Sequence, residues 1–155
     1  MGNKVNPIGL RLGISRTWNS KWFAEKDYAS QLRQDLDIQK FVKGRLKHAA
    51  ISKIEVEHTA KRTKVNIFSA RPGIIIGRKG DEVESLKKEL SKRNYNDVTI
   101  NIKEIKRPEI DATLIAENIA SQLERRIAYR RAVKRSIQAA MRMNIASYHY
   151  KHLTQ

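Results

Sequence analysis

The segment RPGIIIGRKGDEVESL, residues 71–86, constrains the fold more than any other stretch of this chain. It follows a run of alternating apolar and polar residues, and beyond it apolar residues recur at the spacing of a helix. The sequence therefore predicts a strand, a glycine-rich turn and a helix in succession. Asp81 is expected to cap that helix, with Glu84 three residues later completing a capping box.

Two nucleotide-binding patterns fail in this segment. A Walker A loop requires Lys and then Ser or Thr directly after its last glycine, whereas Gly80 is followed by Asp81 and Glu82. The dinucleotide fingerprint fails because three isoleucines separate Gly73 from Gly77. The sequence therefore predicts no cofactor.

The pattern that remains is Ile-Gly-x-x-Gly ahead of an amphipathic helix, which is typical of a K-homology domain. In such domains the loop clamps about four nucleotides by their backbone. Missing side chains let phosphates approach the main chain, and the helix start adds N–H donors. The open alternative is a groove that packs on protein or folded RNA. The RNA-binding residues expected here are Arg71, Gly77, Arg78, Lys79 and Gly80.

Periodicity in the rest of the chain predicts an α+β fold. Residues 27–49 are expected to form a helix, or two short helices divided at Asp35 and Asp37. Strands are expected at 52–59, 62–70 and 97–105. The order helix, strand, strand, short helix, Gly-x-x-Gly, helix, strand is that of a type II K-homology domain. We therefore expect a three-stranded sheet with helices on one face.

The balance of charge points to a polyanionic partner. The chain has 32 Lys and Arg against 16 Asp and Glu, a net charge of +16, and a pI near 10.3. A pI above about 9 is the electrostatic footprint of a nucleic-acid binder. A generally basic surface, or one that meets anionic lipid, is the alternative. No apolar run reaches the length of a membrane span, so no membrane partner is expected.

Residues 1–23 are predicted to form an extended basic and aromatic arm that docks on a partner. Three glycines and a proline interrupt any regular pattern. Trp18, Trp22 and Phe23 are unusual in a disordered tail, and at least one of these rings is expected to pack on the following domain. The arm cations expected to contact RNA are Lys4, Arg11, Arg16 and Lys21.

Residues 108–143 are predicted to form a basic helical segment. One apolar face is expected through Ala112, Ile115, Ile119 and Leu123, and no acidic residue follows Glu124. Like charges four residues apart on a helix repel by a few tenths of a kcal/mol per pair, which favours an anionic partner over a solvated face. The two cationic rows are Arg126, Arg130 and Lys134, and Arg131 and Arg135.

Catalytic and metal-binding groups are not expected. The chain lacks cysteine, which removes disulfides, thiolate ligands and a Cys nucleophile. His149 and His152 lie three residues apart with no carboxylate near them in the sequence, and His58 is expected to be a packing residue at a strand end. We therefore predict a binding protein and not an enzyme, with no metal site.

Several long motifs, in order, resemble the family of small ribosomal subunit protein three in its bacterial and organellar form. The motifs are MGNKVNPIGLRLG, TWNSKWFA, ARPGIIIGRKG, RPEIDATLIAENIASQLERR and YRRAVKRSIQAAMR, which together match residues 1–143. The resemblance implies a structural constituent of the head of the small ribosomal subunit. Ribosomal RNA would be bound by the arm and by a K-homology domain over residues 24–107, and neighbouring small-subunit proteins would be contacted too.

The resemblance also assigns a role to the basic helix. It implies that Arg130, Arg131, Lys134 and Arg135 help to line the channel through which messenger RNA enters the subunit. The family continues into a second α/β domain, in whose place residues 144–155 form a divergent tail. We therefore expect that domain to be missing, supplied by a separate chain or lost, and apolar surface to be exposed on the helices that precede it.

Three further expectations follow from the sequence. The ribosome would be that of a bacterial cytoplasm, or alternatively of a mitochondrial matrix. The competing function is a free-standing K-homology regulator or ribosome assembly factor, which would need neither the arm nor the cationic rows. For the glycine loop, we expect that replacing both Gly77 and Gly80 with Asp impairs RNA contact and leaves the fold intact.

Overall fold

The computed structural model describes residues 3–59, 62–93 and 97–143. A mixed four-stranded sheet lies at its centre, in the order β1-β2-β3-β4. The strands are β1 Ser20–Lys21, β2 Ile51–Thr59, β3 Arg62–Ser69 and β4 Asp97–Glu104. Strands β2 and β3 are antiparallel, whereas β1 runs parallel to β2 and β4 runs parallel to β3.

Six α-helices occur within these described ranges. They are α1 Pro7–Arg11, α2 Tyr28–Arg45, α3 Pro72–Ile76, α4 Asp81–Lys92, α5 Ala112–Glu124 and α6 Tyr129–Arg142. Short 3-10 turns lie at Lys47–Ala49, Arg78–Gly80 and Pro108–Ile110. From α2 to β4 the order is helix, two strands, short helix, glycine loop, helix and strand, which confirms the predicted α+β fold.

Helices α2, α3 and α4 cover one face of the sheet. Alternation along the strands places one set of aliphatic side chains under these helices, and the helices contribute their own buried stripe. On α4 the predicted inward residues Leu86 and Leu90 are buried, and Val83 packs beside them. The core joins all of these elements and includes Ile38, Val42, Ile54, Val56, Val65, Ile67, Ile75, Leu86, Leu90 and Val98.

Helix α2 is continuous. Of the two apolar stripes that its sequence suggests, the one through Tyr28, Leu32 and Leu36 is not the core face, since Tyr28 and Leu36 are 58% and 56% exposed. The other, through Phe41, Val42 and Leu46, packs in the core as predicted, and Ile38 and Asp35 are fully buried beside it. Asp35 therefore faces the sheet and does not cap a second helix. This face of α2 lies toward the sheet because the Asp35 carboxylate has hydrogen-bond partners in the sheet and in the arm.

Those partners connect three elements around Asp35. Trp22 Nε1 donates to one carboxylate oxygen at 2.6 Å, and His58 Nε2 lies 2.5 Å from the other. His58 Nδ1 lies 3.0 Å from Thr63 Oγ1 across the β2-β3 pair. A buried carboxylate is costly without hydrogen bonds, and both oxygens have one. His58 is thus a hydrogen-bonding bridge, and Trp22 confirms that one arm ring packs on the following domain.

The arm contains two short elements, and over α1, Pro7–Arg11, it is helical and not extended as predicted. Asn6 Oδ1 caps α1 by accepting hydrogen bonds from Ile8 N at 2.9 Å and Gly9 N at 3.3 Å. Asn followed by Pro at the first helical position is a start signal that the sequence interpretation missed. Farther on, Val56 N donates to Asn19 O at 2.8 Å, where β1 joins the sheet. This strand makes the sheet four-stranded and not three-stranded as predicted.

The C-terminal segment is a pair of helices joined by a turn. Arg126 lies in that turn with φ +61°, so it does not share a row on α6 with Arg130 and Lys134 as predicted. Asp111 starts α5, since its Oδ1 accepts hydrogen bonds from the first turn, and its Oδ2 accepts one from Ser52 Oγ at 2.5 Å. This last bond ties the helix pair to strand β2.

The apolar face predicted on α5 is only partly correct. Leu114 is the buried residue of this helix, whereas Ala112 is exposed and Leu123 is 44% exposed. On α6, Tyr129 and Met141 are 61% and 54% exposed. Small residues allow close approach at the buried side of α6, where Ala132 and Ala140 have no exposure.

Some sequence predictions fall outside the described residues. These are the link Ala60–Lys61, Tyr95 at the end of α4, and the tail 144–155. Within the described ranges, no helix is both long and apolar enough to cross a membrane. The same ranges hold no group of three or more potential metal ligands.

Candidate nucleic-acid interface

The glycine loop between α3 and α4 depends on backbone conformations that favour glycine. Gly77 has φ +70° and Gly80 has φ +90°. Gly77 also ends α3, because its N–H donates to Gly73 O at 3.0 Å. The two glycines are therefore required by the fold of the loop itself, before any contact with a ligand.

The space around Gly77 sharpens that conclusion. A Cβ atom built on Gly77 would lie 2.8 Å from Cγ and 3.0 Å from Cβ of Glu82. Around Gly80 the described residues leave open space, so the positive φ alone penalises a side chain there. Replacing both glycines with Asp is therefore expected to strain the loop itself, so a loss of RNA contact in that variant would not by itself report on phosphate binding.

Helix α4 begins without the predicted capping box. Its N-cap is Gly80, and Asp81 is already helical with φ −58° and ψ −37°. The 3-10 turn Arg78–Gly80 runs directly into the helix, so neither Asp81 nor Glu84 occupies the required position. The acids of the first turn instead complement the positive end of the helix dipole. They also compete with a phosphate for that end.

The three consecutive isoleucines have two different environments. Ile75 is buried in the core, whereas Ile74 and Ile76 are 46% and 44% exposed. The short helix α3 separates them, since it turns one side chain inward and leaves its neighbours at the surface. Pro72, at the start of α3, is the residue in the sequence that signals this short helix. The exposed pair gives the loop an apolar margin suited to unpaired bases.

The predicted cations of the loop and arm lie mostly at the surface. Arg71 and Arg78 flank α3 and are exposed, while the position of the Lys79 side chain lies outside the description. In the arm, Lys4, Arg11 and Arg16 are exposed. Lys21 differs from these, because its Nζ lies 3.1 Å from Glu55 Oε2. It is an anchor between arm and sheet.

Four cations cluster on the first two turns of α6. They are Arg130, Arg131, Lys134 and Arg135, which we call the α6 cluster, and all four are exposed. Arg130 Nε donates to Tyr129 Oη at 3.0 Å. Within the described ranges, no carboxylate lies within 4.0 Å of the four charged groups. The cluster is thus an uncompensated cationic surface.

A cleft of about 590 Å³ lies where the helix pair meets the segments before and after strands β2 and β3. Arg71 and Lys47 line one wall, and Arg125 and Ser136 line the side formed by α5 and α6. Sequence reasoning did not foresee this cleft, because no local pattern reports how the helix pair docks. Its lining also includes Glu109 and Glu117, so the cleft carries charges of both signs.

Comparison with known proteins gives the family context of this geometry. Residues 37–110 match the family model described as KH domain. Small ribosomal subunit protein uS3 of Geobacter sp. (strain M21) is 58% identical over 142 residues, which cover 92% of this chain and 67% of that protein. The uS3 protein of Geotalea uraniireducens (strain Rf4) is also 58% identical, over 92% of this chain and 68% of its own length. That of Gluconobacter oxydans (strain 621H) is 56% identical, over 92% of this chain and 64% of its own length.

Proposed function

Because the chain belongs to the family of small ribosomal subunit protein uS3, we propose that it is a structural, non-catalytic constituent of the small ribosomal subunit that binds ribosomal RNA. The observation that carries this proposal is the glycine loop, held at positive φ between α3 and α4 in a chain of net charge +16. The chain spans about two thirds of the length of these relatives.

At the loop, RNA binding combines charge with an apolar margin. Gly77 and Gly80 carry no side chain, so a phosphate approaches the backbone closely there. Arg78 and Arg71 supply positive charge on either side of α3. Exposed Ile74 and Ile76 contact the bases, which a clamp on the backbone leaves free. The loop with Lys79 therefore holds a short stretch of RNA by its backbone.

The α6 cluster is the part of the chain that we assign to messenger RNA. Its four cations are exposed and lack carboxylate partners among the described residues. Their mutual repulsion is relieved by a polyanion lying along the helix. Together with Arg126 in the preceding turn, the cluster lines the channel through which messenger RNA enters the subunit.

The remaining segments organise these two RNA-binding regions. Residues 24–107 act as the K-homology domain, and residues 108–143 as the basic helical segment. The arm, residues 1–23, contacts ribosomal RNA through Lys4, Arg11 and Arg16, while Lys21 secures it to the sheet. Neighbouring small-subunit proteins contact the exposed apolar side chains. The bacterial sources of the relatives favour a cytoplasmic ribosome.

Sedimentation of the tagged chain in sucrose gradients tests the proposal. With millimolar magnesium the protein is expected to migrate with small subunits, and after magnesium chelation it should follow the altered subunit particles. A chain that stays at the top of both gradients is no ribosomal constituent. Migration only with immature particles would point to an assembly factor instead.

A further inference from the structure

The sheet has a second face, opposite the helices that bury its core. Alternation along the strands and their register define this open face. Three rows cross strands β2, β3 and β4 in turn: Lys53, Phe68 and Lys103; Glu55, Asn66 and Asn101; Glu57, Lys64 and Thr99. Lys21 of β1 joins the third row beside Glu57. None of these ten residues is aliphatic.

The first row places an aromatic ring between two cations. Lys53 Nζ lies 6.0 Å from the ring centroid of Phe68, and Lys103 Nζ lies 5.1 Å from it. The two lysines stand on the strands that flank β3, so their Cα atoms are roughly 10 Å apart. Lys103 is exposed and forms no ion pair among the described residues, so its ammonium group can turn toward a ligand, whereas the Lys53 ammonium group is held by Glu55.

The second row provides a fixed polar floor. Glu55 Oε1 lies 2.6 Å from Lys53 Nζ, and Glu55 Oε2 lies 3.1 Å from Lys21 Nζ. Burial alone would raise the pKa of Glu55, but the hydrogen bonds from the two lysines outweigh it and lower the pKa below its usual value. Glu55 therefore stays ionised near neutral pH and holds both ammonium groups on this face.

The amides of the floor are oriented as well. Asn101 Nδ2 donates to Asn66 Oδ1 at 3.2 Å, and Asn66 Nδ2 donates to Glu57 Oε1 at 2.9 Å. The face thus has one ring, oriented amides and four lysines against two glutamates. The core of a protein–protein interface is rich in apolar residues and poor in charged ones. This face is mostly polar and charged, so it does not resemble such an interface.

We propose that the open face binds single-stranded RNA, with a base stacked on Phe68 and the adjoining phosphates held by Lys53 and Lys103. This inference rests on the proposed RNA-binding function and adds a surface separate from the glycine loop and the α6 cluster. One aromatic platform flanked by cations is the arrangement that holds an unpaired strand without reading its sequence.

Fluorescence anisotropy with a labelled ten-residue oligouridylate tests the inference on the full 155-residue chain. The α6 cluster is replaced by alanines in every protein, which removes its contribution. Phe68→Leu is expected to weaken binding at least fivefold, because leucine keeps the apolar volume and loses the stacking face. Phe68→Tyr should stay within twofold. Arg33→Gln, which removes an exposed cation of α2, is the charge-matched control for Lys103→Gln.

The comparison with an abasic oligomer of equal length identifies what is recognised. The parent protein should prefer the base-bearing strand at least fivefold, and Phe68→Leu should reduce that preference to the part contributed by Ile74 and Ile76 of the glycine loop. Lys103→Gln should lower the salt slope by about 0.7, and Arg33→Gln should leave it unchanged. These two variants test the face even if Phe68→Leu fails to fold.

Three outcomes would overturn the inference. A folded Phe68→Leu protein that keeps full affinity and base preference would reduce Phe68 to a covered packing residue, while RNA binding by the chain would stand. Equal competition by the abasic oligomer and an acidic peptide would indicate a carboxylate-bearing partner. No binding by the parent or by the unmodified chain would remove the proposed function itself.

Discussion

Replacing the four residues of the α6 cluster with alanine should change the salt dependence of RNA binding without weakening the fold. All four side chains are exposed, and alanine is the best helix former. Their removal also relieves like-charge pairs three and four residues apart, each costing a few tenths of a kcal/mol. The free energy of unfolding should therefore stay constant or rise by less than about 1 kcal/mol.

The effect on binding follows from counterion release. Each phosphate neutralised on a single strand contributes about 0.7 to the slope of log affinity against log salt. Four lost contacts reduce the slope by about 3 in magnitude. Between 50 and 200 mM salt the affinity of the variant should therefore fall about 50-fold less than that of the parent chain. A fluorescent single-stranded RNA titrated at several salt concentrations measures this.

A charge-matched control separates a local site from net charge. Lys26, Lys40, Lys88 and Lys92 are exposed cations outside α6, and their replacement by alanine removes the same charge. If the α6 variant had the same salt slope as the parent, or if the control variant lost as much slope as the α6 variant, the cluster would not be a phosphate-binding site.

In reconstituted translation, the α6 variant should slow most on messages with a hairpin ahead of the ribosome. Equal slowing on unstructured messages would assign the cluster to assembly.

Three further predictions concern the fold that presents these surfaces. Gly77→Ala should destabilise the chain by about 1–3 kcal/mol in urea unfolding, because it combines a positive φ with overlap on the Glu82 side chain. Gly44→Ala on α2 is the control and should stabilise the chain by up to about 1 kcal/mol, because the described residues leave open space there. Asp35→Ala should cost about 2–4 kcal/mol and shift the fluorescence of Trp22, since two half-buried donors lose their buried acceptor. The folded-state pKa of Glu55 is lowered, so ionised Glu55 stabilises the chain relative to Glu55→Gln. That stabilisation is complete above about pH 4.3 and is lost as the pH falls through the folded-state pKa. A stability difference between the two proteins that grows on acidification would contradict this.

The sequence predicted those elements whose local pattern is strong. Leu86 and Leu90 repeat at helical spacing in α4, and both are buried there as expected. Helix α2 was harder, because its apolar residues support more than one stripe. The stripe that folds inward contains Asp35, whose partners lie 13 and 23 residues away in the chain. No window of local sequence reports such a pairing.

In the candidate interface too, the features set by local sequence were predicted and those set by distant contacts were not. Gly77 and Gly80 were identified correctly as loop residues, since only their local spacing was needed. The contact between Gly77 and Glu82 was missed, because it depends on how the 3-10 turn enters α4. The alternation of β3 puts Phe68 on the face opposite Val65 and Ile67, but assigns it no function. Its place between Lys53 and Lys103 becomes visible only from the register of three strands.

Strand β1 couples the arm to both faces of the sheet. Successive residues of a strand point to opposite sides, so Lys21 lies on the open face and Trp22 on the helix-covered face. Lys21 shares Glu55 with Lys53, while Trp22 shares buried Asp35 with His58. These contacts fix the last residues of the arm against the sheet. The rest of the arm, with its exposed cations, therefore begins at a defined point on the sheet edge. Two residues of strand, too short to be seen in the sequence, thus fix where the arm leaves the sheet relative to the open face.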